Sequence, residues 1–221
     1  EIPTHLPDDI KRSVVRWTPS TSKTFQESMK ALVYDAFDGI KIFVMNIEAL
    51  STPRGTQVAY AFLCKNPANI MIVDESTTIK NRKATRTKNI LMLAKDAKYK
   101  RILTGSPVTK SPMDLFSQCS FLSPDALGFN SYYSFQNRYA LVQKRTMGSR
   151  AFQEIVGYRR LDELNLKLDS FSNRILKEHC LDLPDKMYIR RDVALTDEQK
   201  RVYTQMKKLA LAKLENGELA T

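Results

Sequence analysis

The apolar run 70–73 (I-M-I-V), followed directly by Asp74 and Glu75, constrains the fold of this chain more than any other segment. A continuous apolar run of this length is typical of a strand that is buried on both faces of a parallel sheet. Ligands of open α/β sheets bind just past the carboxyl ends of such strands, which is where the two carboxylates follow. One carboxylate could hold Mg²⁺ and the other could orient an attacking water, but a solvated acidic turn fits this short segment equally well.

Strand-like and helix-like patterns alternate around this segment. The predicted strands are residues 13–17, 40–45, 70–73 and 98–104, and the predicted helices are residues 25–37, 56–65 and 84–94. Ser22 or Thr24 could cap the first of these helices. The β-α-β-α-β-α-β order predicts the α/β fold class, with a parallel sheet that is covered by helices on both faces.

The pattern changes after Pro124, and residues 126–183 are predicted to form an all-helical insertion or bridge. Its predicted helices are residues 130–145, which are rich in aromatic side chains, and residues 161–168. No strand is expected again until residues 186–194, which alternate between apolar and polar side chains.

A last helix is predicted from about residue 197 to Glu215. Thr196 with Gln199 three positions later has the spacing of a capping box, in which two side chains bond reciprocally to backbone N–H groups. The dipeptide Asn216-Gly217 would supply the C-terminal stop.

The charge balance favours a polyanionic partner. The chain has 35 Lys and Arg against 24 Asp and Glu, a formal net charge of +11, which suits nucleic acid although basic side chains also solvate helix faces. No apolar run approaches the ~18 residues that span a bilayer, so no membrane partner is expected. Three scattered cysteines and the absence of signal-peptide features at the N-terminus predict reduced thiols in an intracellular protein. No zinc-ligand spacing is present.

A second polar loop follows the predicted strand that ends near Leu103. The segment 104–107 reads T-G-S-P, which places hydroxyl groups and a glycine at the end of that strand. One helix separates it from Asp74 and Glu75, so the two loops are predicted to lie side by side at one edge of the sheet. A plain strand-end turn is the alternative for this segment alone.

Several segments, in order along the chain, resemble the Swi/Snf-type DNA translocases of the superfamily 2 helicase-like ATPases. The matching segments are I-F-V-M-N-I-E at 42–48 (motif Ib), I-V-D-E at 72–75 (motif II, the Walker B or DExx box), I-K-N at 79–81, L-T-G-S-P at 103–107 (motif III), D-L-F-S at 114–117, F-L-S-P at 121–124, L-P-D-K at 183–186, and L-T-D-E-Q at 195–199 with Tyr203. The resemblance covers almost the whole chain.

The resemblance implies a division of the chain into three parts. Residues 1–125 would be the C-terminal part of a first RecA-like, helicase ATP-binding lobe with a partial P-loop-type parallel sheet. Residues 126–183 would be the helical insertion, and residues 184–221 would supply the first strand and helix of a second lobe.

The resemblance also implies roles for individual residues. Asp74 would hold Mg²⁺ through water, Glu75 would orient the attacking water, and Thr104, Gly105 and Ser106 would contact the ATP phosphate region. Double-stranded DNA would be held by its phosphate backbone, with these weaker candidates for the contacts: Lys80, Arg82, Lys83 and Lys110.

Two departures from the family pattern concern the link between nucleotide and lobes. Thr77 stands where the family usually has His as the fourth residue of motif II. The segment 108–111 reads V-T-K-S instead of I-Q-N-N, so the usual Gln is Thr109. Any coupling through these positions must therefore use other atoms.

The largest departure is that the seven glycines form no G-x-x-x-x-G-K-[ST] spacing, which is the phosphate-binding Walker A loop. The resemblance therefore predicts a fragment of an ATP-dependent double-stranded DNA translocase that is inactive alone. Such a fragment would expose a sheet edge or apolar face that invites self-association. The alternative function is a non-catalytic nucleic-acid-binding or interaction module that keeps a helicase-like shape.

Overall fold

The computed structural model describes Pro7 and residues 9–147, 150–176 and 187–215. The chain divides into two compact units, Glu1–Asn173 and Arg174–Thr221. The first unit contains, in chain order, β1 (Arg12–Arg16), α1 (Lys23–Tyr34), β2 (Ile40–Val44), α2 (Pro53–Lys65), β3 (Ile70–Val73), α3 (Thr85–Leu93), β4 (Tyr99–Ile102), α4 (Leu115–Leu122), α5 (Tyr132–Tyr139), β5 (Ala140–Met147), β6 (Arg150–Tyr158) and α6 (Leu161–Asp169). The second unit contains α7 (Asp197–Glu215).

The α/β class is confirmed, and strands and helices alternate through β4 as predicted. Strand β1 pairs with β2 in parallel, and β3 pairs with β4 in parallel, with Ile70 opposite Tyr99 and Val73 opposite Ile102. The described strands form separate two-stranded sheets rather than one continuous sheet.

The prediction that strand β3 is buried on both faces is wrong. Val73 is buried, whereas Ile70 and Ile72 are 53% and 56% exposed. Because side chains alternate across a strand, one face of β3 packs on the helices and the other faces solvent. Leu103, just past β4, is exposed as well.

The covered face of β3 and β4 forms the core beneath the predicted site. Val73 packs with helix α3 through Ile90 and Leu93, and with α4 through Phe121, all of which are almost fully buried. Ile79, in the short 3₁₀ turn after β3, joins the same cluster with no exposed surface. The loop after β3 is therefore anchored by an apolar side chain.

Capping residues explain where the helices begin. Ser22 accepts a hydrogen bond from the N–H of Phe25 at 3.3 Å, so Ser22 rather than Thr24 caps α1. Helix α2 begins three residues before the predicted position because Thr52 accepts from the N–H of Gly55 and Pro53 fits the first helical turn.

The prediction of an all-helical segment after residue 125 is wrong. Strands β5 and β6 form an antiparallel hairpin within it, and only Tyr132–Tyr139 of the predicted helix 130–145 is helical. Val142 and Ile155 of the hairpin pack on a second core that contains Phe135 and Tyr139. Burial of alternate side chains against α5 therefore favours strand over helix here.

The strand predicted at residues 186–194 is absent from its described part, 187–194. Its large apolar side chains are at least three-quarters exposed, among them Tyr188 at 91%. An alternating pattern forms a strand only when a neighbouring strand supplies hydrogen bonds, and none of the described strands pairs with these residues.

The capping box of the last helix is confirmed. Gln199 Oε1 accepts from the Thr196 N–H at 3.0 Å, and Thr196 Oγ1 accepts from the Gln199 N–H at 3.3 Å. The predicted stop at residues 216–217 lies outside the described residues, as do residues 183–186. Within the described part of the chain, no helix is both long enough and apolar enough to cross a bilayer.

Candidate nucleotide site at the ends of two parallel strands

The two predicted loops lie side by side, because the β3–β4 pairing continues past the ends of both strands. The Leu103 N–H donates to the Val73 carbonyl at 2.9 Å, and the Ser76 N–H donates to the Leu103 carbonyl at 2.9 Å. The acid pair at 74–75 and the loop at 104–106 thus begin at the same edge of the β3–β4 pair.

The backbone at Glu75 turns sharply away from the strand. Its φ of +48° lies in the left-handed region, which is uncommon for a residue with a side chain and costs of the order of 1–2 kcal/mol. Asp74 Oδ1 accepts from the Glu75 N–H at 2.9 Å. Both acidic residues are exposed, so their carboxylates are accessible to a ligand.

The loop after β4 combines a local hydrogen bond with open space. Thr104 Oγ1 accepts from the Ser106 N–H at 3.2 Å, which is a short Ser/Thr turn. A Cβ placed on Gly105 would meet no atom within 4 Å. A ligand could therefore approach the backbone of Gly105 without first displacing protein atoms.

A magnesium ion would have to be held here by few protein ligands. Among the described residues, no three His, Cys, Asp or Glu side chains gather as a metal-binding group. Mg²⁺ commonly uses one or two carboxylates together with phosphate oxygens and water, and an exposed Asp74 beside Glu75 fits that donor set.

A buried amide joins the two loops, and the sequence interpretation missed it. The Ser76 hydroxyl donates to Gln118 Oε1 at 2.7 Å, and Gln118 Nε2 donates to the Pro107 carbonyl at 2.8 Å. Gln118 and Ser76 are almost completely buried. The available signal was a glutamine in the middle of α4, L-F-S-Q-C-S-F-L, where the surrounding positions are mostly buried.

Asp114 organises the last part of the loop after β4. Its Oδ2 accepts from the Thr109 N–H and hydroxyl at 3.1 and 2.9 Å, and from the Lys110 N–H at 3.0 Å. Burial raises the pKa of this carboxyl, but the bonds from Lys110, Thr109 and Ser111 together outweigh it, and the pKa of Asp114 lies below its ordinary value.

The four basic residues proposed for DNA differ in how they are held. Lys80 Nζ donates to the Thr109 hydroxyl, so it links the segment after β3 to the loop after β4. The guanidinium of Arg82 stacks on aromatic rings of α5. Lys83 and Lys110 are exposed.

The fold and the site together define an α/β protein with polar loops at the carboxyl ends of parallel strands. Its family is shown by a family model: the chain belongs to the SNF2-related domain family, whose model matches residues 1–221.

The relatives that this chain resembles are much longer proteins. It is 34% identical over 154 residues to the DNA annealing helicase and endonuclease ZRANB3 of Bos taurus, covering 64% of this chain and 14% of that protein. It is 32% identical over 167 residues to the TATA-binding protein-associated factor MOT1 of Saccharomyces cerevisiae, covering 72% of this chain and 9% of that protein. A third is a SWI/SNF-related, matrix-associated, actin-dependent regulator of chromatin (subfamily A-like protein 1) of Xenopus tropicalis, with 30% identity over 175 residues, 77% of this chain and 17% of that protein. The chain thus spans less than a fifth of the length of these relatives.

Proposed function

We propose that this chain contributes half of the ATP-hydrolysing site of a double-stranded DNA translocase. The observation that supports the proposal is the continued pairing of β3 with β4, in which the Ser76 N–H bonds to the Leu103 carbonyl. It brings an accessible acid pair beside a loop with hydroxyl groups and an unobstructed glycine backbone. The family assignment and the helicase and chromatin functions in the names of the relatives agree with this role.

In this proposal the acid pair carries the chemistry. Asp74 would hold Mg²⁺ through water, and the Glu75 carboxylate would orient the water that attacks the γ-phosphate. Mg²⁺ supplies charge neutralisation on the phosphates when it is bound. The left-handed backbone at Glu75, directly after β3, is the kind of strained geometry that active sites retain.

The loop after β4 recognises the phosphate region. Its backbone at Gly105 is open, and Thr104 and Ser106 carry hydroxyl groups that could bond to phosphate oxygens. No Walker A spacing occurs among the seven glycines. We therefore propose that other residues of a longer protein supply the phosphate cradle, and that the 221-residue chain alone hydrolyses no ATP in response to DNA.

The DNA partner is proposed from charge and position. Lys83 and Lys110 are exposed basic residues on the segments that follow β3 and β4, and contacts with phosphates require no reading of bases. The net charge of +11 supports a polyanionic partner of this kind. The names of the relatives, which include a chromatin-remodeling ATPase and TATA-binding protein-associated factors, agree with an intracellular protein.

The test is DNA-stimulated ATP hydrolysis by the full-length gene product. Glu75→Gln keeps the size of the side chain but removes its charge, and we expect it to lower kcat at least a hundredfold. Glu27→Gln, an exposed position on α1, is the matched control and should leave kcat unchanged. Wild-type protein that binds DNA without hydrolysing ATP would instead support the non-catalytic binding module. A Glu75→Gln protein with full activity would contradict the proposed role of Glu75 in hydrolysis.

A further inference from the structure

Gln118 of α4 is a buried amide whose hydrogen bonds reach two different loops. Its Oε1 accepts from the Ser76 hydroxyl at 2.7 Å, and its Nε2 donates to the carbonyls of Pro107 and Asp114 at 2.8 Å each. Because carbonyl oxygens only accept, Nε2 must face Pro107 and Asp114, and the orientation of the amide is determined by its partners.

The two loop residues that Gln118 contacts follow the proposed site residues directly. Ser76 is the next residue after Glu75, and Pro107 is the next residue after Ser106. Ser76 has no exposed surface and Gln118 is 1% exposed, so the bond between their side chains is buried, whereas the bond from Gln118 to the exposed Pro107 is partly buried. The Gln118 side chain therefore connects the residue after the acid pair to the residue after the Thr104–Ser106 loop.

Separating the loops would be costly because the Ser76 and Gln118 side chains that connect them are buried. A buried donor or acceptor that loses its partner costs about 1–3 kcal/mol. If the loop after β3 moved alone, the Ser76 hydroxyl and Gln118 Oε1 would both lose their partner in a buried position. If the loop after β4 moved alone, Gln118 Nε2 would keep its bond to Asp114 but lose its bond to Pro107. Movements that keep Ser76, Gln118 and Pro107 together are therefore favoured over movements of one loop alone.

We propose that Gln118 is a positioning residue that makes the loop after β3 and the loop after β4 move as one body. Its catalytic consequence rests on the proposed function: a change at the Thr104–Ser106 loop would be passed through Pro107, Gln118 and Ser76 to the backbone of Glu75. Gln118 is 1% exposed, so it acts through the position of Glu75 and not by contact with the nucleotide.

The mechanical part of the proposal can be tested without any activity, by hydrogen exchange on the full-length protein. Gln118→Leu should increase amide exchange at least fivefold in both residues 76–80 and residues 105–111, with helix α1 unchanged. Ser120→Ala is the matched control, because the Ser120 hydroxyl donates only to the Phe116 carbonyl within α4. Faster exchange in only one loop, or in neither, would overturn the proposal.

The catalytic part predicts a separation of kcat from KM. Gln118→Leu should lower kcat for DNA-stimulated ATP hydrolysis about tenfold or more, with KM for ATP within twofold. The double variant Ser76→Ala/Gln118→Leu removes both partners of the buried bond, so it should regain thermal stability but not kcat. A double variant that regains wild-type kcat would reduce Gln118 to a structural role and overturn the proposal.

Gln118→Glu adds a pH-dependent readout. An ionised Glu at this position can still accept from the Ser76 hydroxyl, but its second oxygen would face the carbonyls of Pro107 and Asp114. Protonation of this Glu restores one donor, so the kcat of the variant should rise relative to that of wild type as pH falls from 8 to 6. If the ratio of the two kcat values does not change with pH, the bond that Gln118 donates has no role in catalysis. If wild-type protein lacks ATPase activity, the proposed function fails, and hydrogen exchange alone decides whether Gln118 couples the loops.

Discussion

The guanidinium of Arg82 lies over the ring of Tyr132, with its Cζ 4.2 Å from the ring centroid. A second ring, that of Tyr133, lies 5.1 Å from the same atom. Both tyrosines are in the first turn of α5, so Arg82 attaches the segment after β3 to that helix. This contact gives Arg82 a structural role that its neighbour Lys83, which is exposed, does not share.

We therefore expect Arg82 and Lys83 to respond differently to substitution. Arg82→Ala should lower the free energy of unfolding by about 1 kcal/mol, the usual size of a cation–π contact at a partly exposed site. Lys83→Ala should leave the free energy of unfolding unchanged. It should weaken the salt dependence of DNA binding, so that the slope of the logarithm of the binding constant against the logarithm of the salt concentration falls in magnitude by about 1. Thermal melting and salt titrations of the full-length protein would measure both. Equal melting temperatures for the two variants would contradict the structural role of Arg82.

Because the pKa of Asp114 is lowered in the folded protein, we expect the stability of the fold to depend on pH. Its folded-state pKa is below the ordinary value of about 3.9, so its contribution is fully present above about pH 4 and is lost as pH falls through the lower folded pKa. Asp114→Asn should lower the free energy of unfolding at pH 7 by about 1–2 kcal/mol, because Asp114 also completes the capping box with Ser111.

Denaturant melts of the Asp114→Asn variant and wild type at several pH values would check this. The difference between the two proteins should shrink as pH falls from 5 to 2, because wild type loses the carboxylate there and the variant has none. A difference that stays constant over this range would show that Asp114 acts by packing rather than by its charge. Asp125→Asn, at an exposed loop position, provides a control with the same change in charge.

The sequence predicted the positions of the two loops because the signals are local. Two apolar strands, each followed by polar residues and separated by one helix, are enough to predict parallel neighbours. The structure confirms this, because β3 and β4 pair in parallel. Capping residues are equally local, which explains why Thr196 was predicted correctly and why Ser22 was one of the two candidates for the cap of α1.

Long-range partners could not be predicted in the same way. Gln118 lies 42 residues from Ser76, and nothing in either segment indicates that the two side chains meet. The hairpin of β5 and β6 was missed because aromatic residues favoured a helix through residue 145, and only burial of Val142 and Ile155 against α5 decides for strand. Met187–Val193 shows the reverse case, an alternating pattern that is exposed and unpaired among the described strands.

Ile70 and Ile72 were predicted to be buried but are exposed in the structure. A continuous apolar run predicts burial on both faces, but burial of the second face requires an element to cover it. Self-association of the 221-residue chain through this apolar surface remains a prediction.

Cys119 and Cys64 should react at very different rates with a thiol reagent. Burial raises the pKa of the Cys119 thiol to about 12, so at pH 8 only about one molecule in 10⁴ carries the reactive thiolate. Cys64 is exposed at the surface of α2. In a Cys180→Ser background, one thiol should label quickly in the folded protein and the second only after unfolding. Rapid labelling of both thiols under native conditions would contradict the packing of α4, and Cys64→Ser identifies which thiol reacts.

Gly105→Ala separates the effects of the glycine on folding and on the proposed phosphate contact. A Cβ at this position meets no protein atom within 4 Å, so the variant should fold normally, and the lower entropy of its unfolded chain should stabilise it by about 0.4–1 kcal/mol. If phosphate approaches this backbone in the full-length protein, the added methyl group occupies the same space, and KM for ATP should rise at least fivefold. Ser120→Ala is the control, because it changes one side chain away from both loops. Gly157→Ala is unsuitable because its Cβ would lie 3.3 Å from Leu141. Unchanged KM and unchanged kcat in a folded Gly105→Ala protein would show that no ligand approaches the Gly105 backbone, and would remove this loop from the proposed site.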